Sequence, residues 1–248
     1  MAKQSGVVKI EGTIDDLTFY KFNGKYKIRK KGGIPKSRIQ NDPRFKRVRE
    51  NNAEFGRVSK GISLMRKALS AMLHGSKKVQ TGDLMPVFFD VLRSDATHPR
   101  GERTLSAGNL LILEQLNLNS SVTLDQIFNV SSTVTVDRAN GEAIIQFPSW
   151  EPHQLEVPQG ATHYQINTCA ALINFSDDHY EQTTQAGVIA ALPQAQVAGQ
   201  SVTLNFTAGS VLPILVAVGI RFYVEVNGVQ MELYHAEFNP VEVVEVDV

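Results

Sequence analysis

Few residues in this sequence have the types and spacing that catalysis or metal binding requires. The six histidines form no HExxH pair, and a single cysteine, Cys169, cannot build a zinc site of several thiolates. The run Asp177-Asp178-His179, with Glu181 close by, could bind a metal ion, but such a run is more often a solvated turn. The sequence contains no GxSxG elbow, P-loop or GxGxxG fingerprint. We therefore expect no catalytic, metal or cofactor-binding residues and no enzyme activity.

Two single residues allow a second interpretation. Cys169 lies in an apolar strand pattern, which is typical of a buried and inert thiol. Trp150, in FPSWEPH, is either a core residue or a platform on which a sugar ring stacks. The core is the favoured interpretation, and the other would make the protein a carbohydrate-binding β-sandwich.

The composition predicts a globular protein with a substantial core. The chain has 248 residues, of which 42% are hydrophobic and 20% are charged. The longest apolar run, residues 211–220, contains Pro213 and Gly219 and is too short to cross a bilayer. No apolar segment follows the initial MAKQSG, so we expect no secretory signal and cytoplasmic synthesis, with incorporation into a particle or a released assembly left open.

The formal net charge of zero conceals a strong asymmetry. Residues 1–80 contain 20 of the 25 Lys and Arg but only six of the 25 Asp and Glu, a net charge of +14. Residues 81–248 carry the opposite charge of −14. Such an asymmetry indicates a charged partner, which is either a polyanion such as nucleic acid or the acidic part of another copy. The near-equal opposite charges favour another copy.

The basic region begins with a predicted ribbon of three strands, over Val7–Ile14, Leu17–Phe22 and Lys25–Lys31. Asn23-Gly24 predicts a tight hairpin between the second and third strands, because both residues tolerate positive φ. The expected cross-strand pairs are Phe22 with Lys25, Tyr20 with Lys27, and Thr18 with Arg29. That face mixes aromatic and cationic side chains. The other face is apolar and is expected to be buried, with residues Leu17, Phe19, Tyr26 and Ile28.

A long helix is predicted over Pro43–Leu73, with Asp42 as its N-cap and Gly75 as its stop. Its apolar stripe comprises Phe45, Val48, Phe55, Val58, Ile62, Met65, Leu69 and Met72. Gly56 and Gly61 each weaken the helix by about 1 kcal/mol relative to alanine, or allow another element to approach closely.

Four cations crowd the first turns of this helix, where the helix dipole disfavours positive charge unless an anionic partner covers it. The predicted interface or polyanion-binding residues are Tyr20, Phe22, Lys25, Lys27, Arg29, Lys30, Lys31, Arg44, Lys46, Arg47 and Arg49.

The remainder reads as a mixed segment followed by antiparallel β-structure. A short helix is expected over Asp83–Asp95, beginning at Thr81 or Gly82, and LLILEQLNL (110–118) is either a strand, which we favour, or a helical turn. From Val122 onward, short strands alternate with Gly and Asn turns. Strands are expected in SSTVTVDRANGEAIIQF, two in HQLEVPQGATHYQINTCAALINF, VTLNF, the hairpin on Asn227-Gly228, and PVEVVEVDV.

The predicted fold class is α+β and mainly β, with an N-terminal β-hairpin and long helix followed by an antiparallel β-sandwich of Ig-like or jelly-roll-like form. The predicted regions are 1–80 (basic hairpin and helix), 81–121 (mixed connection) and 122–248 (β-sandwich).

Several segments resemble a known group of sequences. They are GTIDDLTFY, NGKYKIRKKGG, RFKRVRENNAEF, VPQGATHYQINTCAALINF and FYVEVNGVQMELYHAEFNPVEVVEV. Together they resemble a family of uncharacterised proteins from Bacteroidota bacteria or their phages, over most of the chain. The resemblance implies a source and a compact fold, and it assigns no activity and no functional residues.

The sequence thus predicts a non-catalytic structural protein that self-assembles into a filament, tube or shell. The basic N-terminal part would contact the acidic β-domain of a neighbouring subunit. The first alternative is a nucleic-acid-binding protein that uses the same basic surface. We expect the partner to be another copy, with nucleic acid possible, and we expect neither a membrane nor a small-molecule substrate.

Overall fold

The computed structural model of the protein describes residues 2–6, 8–30 and 32–248. About 25% of the chain is helical and 36% is in strands. Several antiparallel sheets and one long helix give a mainly-β α+β fold with a β-sandwich-like arrangement, which confirms the predicted fold class. The chain divides into two compact units, 1–51 and 52–248, so the division falls inside the long helix.

The first unit contains a four-stranded antiparallel sheet. Its strands, in the spatial order β1-β4-β3-β2, are β1 (Ala2–Lys3), β2 (Gly12–Ile14), β3 (Leu17–Phe22) and β4 (Lys25–Lys30). Asn23 and Gly24 both have positive φ, 50° and 73°, as the hairpin prediction requires. The predicted first strand is shortened to β2, and its Val7 lies outside the described residues, as does Lys31 at the end of the predicted third strand.

The helices are α1 (Lys36–Asn41), α2 (Lys46–Ala68), α3 (Ser70–Leu73), α4 (Thr81–Arg93) and α5 (Leu124–Ile127). Both predicted helices form, whereas α1 and α5 were not predicted. Asp42 caps a 3-10 turn, Pro43–Phe45, that leads into α2, because its carboxylate accepts the amide of Arg44. The predicted single helix is interrupted at Leu69, where φ is −103° and ψ is 15°, and it stops at Gly75 with φ 75°.

The second unit is built on a seven-stranded antiparallel sheet. Its strands are β5 (Leu116–Asn117), β8 (His163–Asn174), β9 (His179–Ala186), β10 (Ala190–Ala191), β12 (Ile214–Val226), β13 (Val229–Glu232) and β14 (Val241–Asp247). The main path is β10-β8-β12-β14-β5, with β9 on β8 and β13 on β12. A second sheet has the order β11-β7-β6, from β6 (Thr133–Asp137), β7 (Glu142–Phe147) and β11 (Gln200–Asn205).

The central strands β8 and β12 are covered on both faces. One face packs on the three-stranded sheet, in a core that joins Ala170, Leu172 and Val216 to Ile145 and Leu204. The opposite face packs on helices, in a core that joins Cys169, Ala171 and Leu215 to residues of α2 and α4 such as Ile62 and Phe88. Burial on both faces explains why these strands read as continuous apolar runs and not as alternating patterns.

Two segment predictions were wrong. In LLILEQLNL the favoured strand is limited to Leu116–Asn117, and the alternative, a helical turn, forms at Leu110–Leu113, where both leucines are buried at the spacing of such a turn. The segment before Pro158 holds a 3-10 turn, Pro152–Gln154, so HQLEVPQGATHYQINTCAALINF supplies one strand, β8, and not two. The strand β9, which pairs along β8, was not predicted, because its polar sequence HYEQTTQA lacks apolar alternation.

Candidate basic interaction surface

The ribbon formed by β3 and β4 has the register that the sequence predicts. Phe22 pairs with Lys25, Tyr20 with Lys27, and Thr18 with Arg29. The cations also lie over the rings of the same face. The Lys27 Nζ is 4.6 Å from the centroid of the Phe22 ring, and the Arg29 Cζ is 5.5 Å from that of Tyr20. Each exposed cation–π contact contributes about 0.5–1 kcal/mol, so the face is held together by its own aromatic and cationic side chains.

The opposite face of the ribbon was predicted to be buried, and the structure corrects this. Phe19, Tyr26 and Ile28 are only half-buried and Leu17 is 38% exposed. The Lys21 Nζ lies 5.4 Å from the centroid of the Tyr26 ring. A sheet face is buried only when a second layer packs on it, and the sequence pattern cannot show whether that layer belongs to the same chain.

The four predicted cations of the helix have different surroundings. Arg49 is half-buried, and its Nη1 donates to the backbone oxygens of Ile39 (2.7 Å) and Asp42 (3.0 Å), so it ties down the end of α1. Arg47 is paired with Glu50 at 2.8 Å. The side chains of Arg44 and Lys46 are exposed. The guanidinium of Arg49 therefore stabilises the backbone at the end of α1, whereas the charges of Arg44 and Lys46 are exposed to solvent.

Lys25 and Lys30 are also exposed, and Lys30 pairs with Asp16 at 3.2 Å. A surface pair of this kind contributes little to stability and leaves the cation accessible. The structure thus places the ribbon residues on one hairpin and the helix cations along the start of one helix, while Lys31 lies outside the described residues.

The first unit contains no buried side chain among residues 3–51 as far as the structure describes them. Seven of its large apolar side chains are clearly exposed, and they are Val8, Ile10, Ile14, Leu17, Phe22, Ile34 and Val48. The same unit has 14 Lys and Arg against five Asp and Glu, a net charge of +9, so residues 52–248 carry −9. An apolar and strongly basic surface of this kind is unusual on an isolated protein.

The acidic charge of the second unit includes a crowded group on β14. Burial raises the pKa of Glu242, and the nearby Asp125 carboxylate raises it further. Burial likewise raises the pKa of Glu245, with added repulsion from Glu114 and Asp247. The Arg138 guanidinium pairs with Asp247 and neutralises part of this charge, and the remaining carboxylates would favour a basic partner.

Asp95, which was not among the predicted site residues, organises the loop after α4. Asp95 is 2% exposed, and its carboxylate accepts hydrogen bonds from the amides of Thr97 (2.9 Å), His98 (3.1 Å) and Thr104 (2.9 Å). Burial alone would raise the pKa of Asp95, but these bonds and those from the Thr97 and His98 side chains hold it far below its usual range. An Asp followed by Thr and His in a loop could have indicated such a turn.

The other residues considered for chemistry lie in structural positions. Trp150 is 1% exposed and makes edge-to-face contacts with Phe128 and Tyr164, with ring centroids 5.1 and 5.8 Å apart, so it is a core residue and cannot stack on a sugar. Cys169 is buried, and burial raises the pKa of its thiol to about 12. Asp177 and its neighbours form the exposed turn between β8 and β9.

A cavity of the second unit with a mainly apolar lining has a volume of about 330 Å³. Leu73, Val79, Leu84 and Leu118 line it together with Arg66. The guanidinium of Arg66 is engaged by Thr81 Oγ1 at 2.8 Å and by the backbone oxygen of Val79. The cavity therefore lies where Arg66 links α2 to the start of α4, and this guanidinium is already hydrogen-bonded within the chain.

No family model matches the chain, and no curated protein or solved structure resembles it significantly. The resemblance to the Bacteroidota and phage proteins therefore stays a prediction. Of the helices that the structure describes, none has the length and apolar character needed to span a bilayer.

Proposed function

We propose that this protein is a non-catalytic structural protein that self-assembles into a filament, tube or shell. The basic N-terminal unit of one subunit docks on the acidic β-unit of the next. Such a contact joins two different surfaces, so it propagates from copy to copy and gives an open polymer or a closed ring or shell, depending on the rotation between subunits.

One observation carries the proposal. Residues 1–51 have a net charge of +9, and their described part from residue 3 has strands, helices and exposed apolar side chains but no buried side chain. Burial of apolar surface is the dominant favourable term in folding, so a unit of this composition gains most of its stabilisation when a partner covers it. The matching charge of −9 on residues 52–248 makes another copy the partner with complementary charge.

Nucleic-acid binding is the second candidate, and the ribbon face with Tyr20 and Phe22 is the observation that favours it. Stacking of a base on an aromatic ring contributes about 1–3 kcal/mol. Displacing Lys27 from the Phe22 ring would cost only about 0.5–1 kcal/mol, and the displaced ammonium could then contact a phosphate. The ribbon geometry is thus compatible with a single strand, but the acidic charge of residues 52–248 would serve no purpose in that role.

The test is negative-stain electron microscopy of purified protein that has been freed of nucleic acid. We expect regular polymers at moderate ionic strength, which shorten or dissolve as salt screens the opposite charges. A monodisperse monomer at every concentration, which changes only when single-stranded DNA or RNA is added, would overturn self-assembly in favour of the second candidate.

A matched pair of double variants identifies the charge that matters. Lys25→Glu with Lys27→Glu reverses two ribbon cations and should abolish the polymers while the circular-dichroism spectrum is unchanged. Lys60→Glu with Lys67→Glu makes the same charge change at two exposed positions of α2. This control should still polymerise, and loss of polymers in both variants would mean that total charge, and not the ribbon, controls assembly.

A further inference from the structure

The hairpin of β12 and β13 extends beyond the sheet that it belongs to. The last pair between β12 and β8 is Tyr223 with His163, and the pairing of β12 with β14 ends at Gly219. From Val224 to Val226 the only described strand partner of β12 is β13. Asn227 and Gly228, with φ of 53° and 80°, close the hairpin in a tight turn.

The two faces of this extension differ sharply in character. Val226 pairs with Val229 and Val224 pairs with Met231, so these four aliphatic side chains share one face. The alternate positions place Glu225 opposite Gln230 and Tyr223 opposite Glu232 on the other face. The extension is therefore an amphipathic ribbon with an apolar face and an acidic, polar face.

The apolar face is open to solvent. Val226 is 47% exposed, Val229 is 60% exposed and Met231 is 55% exposed. These three exposed apolar side chains share one face of the hairpin, whereas single exposed apolar residues are common on protein surfaces. Patches of this kind mark interaction sites.

We infer that this apolar hairpin face is the docking surface for the apolar face of the N-terminal ribbon of a second copy. The inference rests on the proposed function and names the receptor surface for it. The ribbon presents Leu17, Phe19, Tyr26 and Ile28 on one face, together with Lys21 and Lys30. Face-to-face packing of two such ribbons is the ordinary way in which two sheets bury their apolar sides.

Charge selects the ribbon over other occupants. Glu225 and Glu232 lie on the reverse of a hairpin that is only two strands wide, so they act within a Debye length of about 8–10 Å on whatever covers the apolar face. A second acidic hairpin would bring like charges together, and a nucleic acid would bring phosphates. The basic ribbon has the opposite sign and an apolar face of its own.

Two neighbouring substitutions on β13 test the inference in the full-length chain. Met231→Asp places a charge on the apolar face, and Gln230→Asp places the same charge on the next residue, on the opposite face. Both positions are exposed, and Gln230→Asp removes only a surface hydrogen bond, from Gln230 Nε2 to Glu225 Oε2 (3.2 Å), so both variants should keep a folded circular-dichroism spectrum. We expect Met231→Asp to raise the critical concentration for assembly by about tenfold or more, and Gln230→Asp to change it by less than about threefold.

The outcomes separate the two hypotheses. If the wild type polymerises and Met231→Asp polymerises equally well, the hairpin inference is overturned while self-assembly stands. If the two aspartate variants are impaired equally, added charge and not the apolar face is responsible, and the inference also fails. If the wild type does not polymerise at all, the proposed function fails and the inference falls with it.

Cross-linking of two single-cysteine chains checks the pairing directly. In a Cys169→Ala background, chains with Phe19→Cys and chains with Val229→Cys are mixed and treated with a short bismaleimide. The mixture should give a hetero-dimer band that neither chain gives alone. A strong band from Val229→Cys alone would show that hairpins pair with each other, which would overturn the ribbon as the occupant.

Discussion

At the residue scale, Asp95 is a buried carboxylate of the second unit that accepts several hydrogen bonds from one loop. Asp95 accepts bonds from Thr97, His98 and Thr104, and so fixes the loop between α4 and the 3-10 turn at Leu110–Leu113. Glu54 supports the same loop, because its carboxylate accepts the amide of Gly101 at 2.8 Å. These carboxylates hold backbone groups that would otherwise be unsatisfied.

Substitution of Asp95 should affect stability in a pH-dependent way. The folded-state pKa of Asp95 is lowered from its ordinary value of 3.8, so the carboxylate stabilises the fold above that value and loses this effect as the pH falls below it. Asp95→Asn should therefore lower the melting temperature clearly at pH 7, and the difference from wild type should shrink below about pH 4.

The matched control is Asp90→Asn, which makes the same chemical change at an exposed position of α4. Its melting temperature should follow that of the wild type closely at all pH values. Melting curves by circular dichroism between pH 3 and pH 8 provide the measurement, and a gap between Asp95→Asn and wild type that grows towards acid pH would contradict the assignment.

Cys169 should be chemically silent in the native protein. The thiolate is the reactive species, and burial both raises the pKa of the Cys169 thiol to about 12 and blocks access. We expect no reaction with Ellman's reagent at pH 8 until denaturant is added, when one thiol per chain should titrate. Full labelling of the native protein within minutes would show that β8 opens readily.

At the element scale, α2 changes character along its length. Val58, Ile62 and Met65 are buried, with exposures of 0–1%, whereas Val48 and Phe55 on the same predicted stripe are 40% and 55% exposed. The 3.6-residue period predicted the stripe correctly. It could not predict where along the helix the covering layer begins, because periodicity records only which residues share a face.

The two helix glycines should respond oppositely to alanine. An added Cβ at Gly56 meets nothing within 4 Å, whereas one at Gly61 would lie 2.1 Å from Leu105 Cδ1 in the core. Gly56→Ala should stabilise the protein by about 1 kcal/mol through helix propensity. At Gly61 the same gain is opposed by overpacking of about 1–3 kcal/mol, so Gly61→Ala should be neutral or destabilising.

Urea denaturation of both variants measures this difference, and each variant is the control for the other. Equal stabilisation by Gly56→Ala and Gly61→Ala would show that the Leu105 side chain moves aside at no cost. The close approach of Leu105 to Gly61 would then not affect the free energy of unfolding.

At the scale of the whole molecule, burial and charge divide the chain at nearly the same place. In the described part of the chain, every buried side chain lies at residue 54 or later, and the basic excess is concentrated before it. The described residues of the first unit therefore add no buried side chain to the core of residues 52–248.

Removal of residues 1–51 should separate folding from assembly. A chain that begins at Asn52 retains all described buried side chains, so its melting temperature should stay within about 5 °C of the wild type. It should be a monomer by size-exclusion chromatography with light scattering at concentrations where the full chain polymerises. An unfolded product would show that the first unit stabilises the second, contrary to this expectation.

The sequence by itself determined the registers of the hairpins at Asn23-Gly24 and Asn227-Gly228, the β-rich class and the division of charge. Asn23-Gly24 and Asn227-Gly228 allow the positive φ that a tight turn needs, so each local pair fixes the alignment of two strands. Only the tertiary structure decided which apolar faces are covered. In the folded chain Trp150 and Cys169 are buried, whereas the apolar faces of the ribbon and of the β12–β13 hairpin are exposed. The Arg49 guanidinium donates to the backbone oxygen of Ile39. Local sequence patterns show which residues share a face of a helix or strand, whereas the burial of that face depends on residues that are distant in the chain.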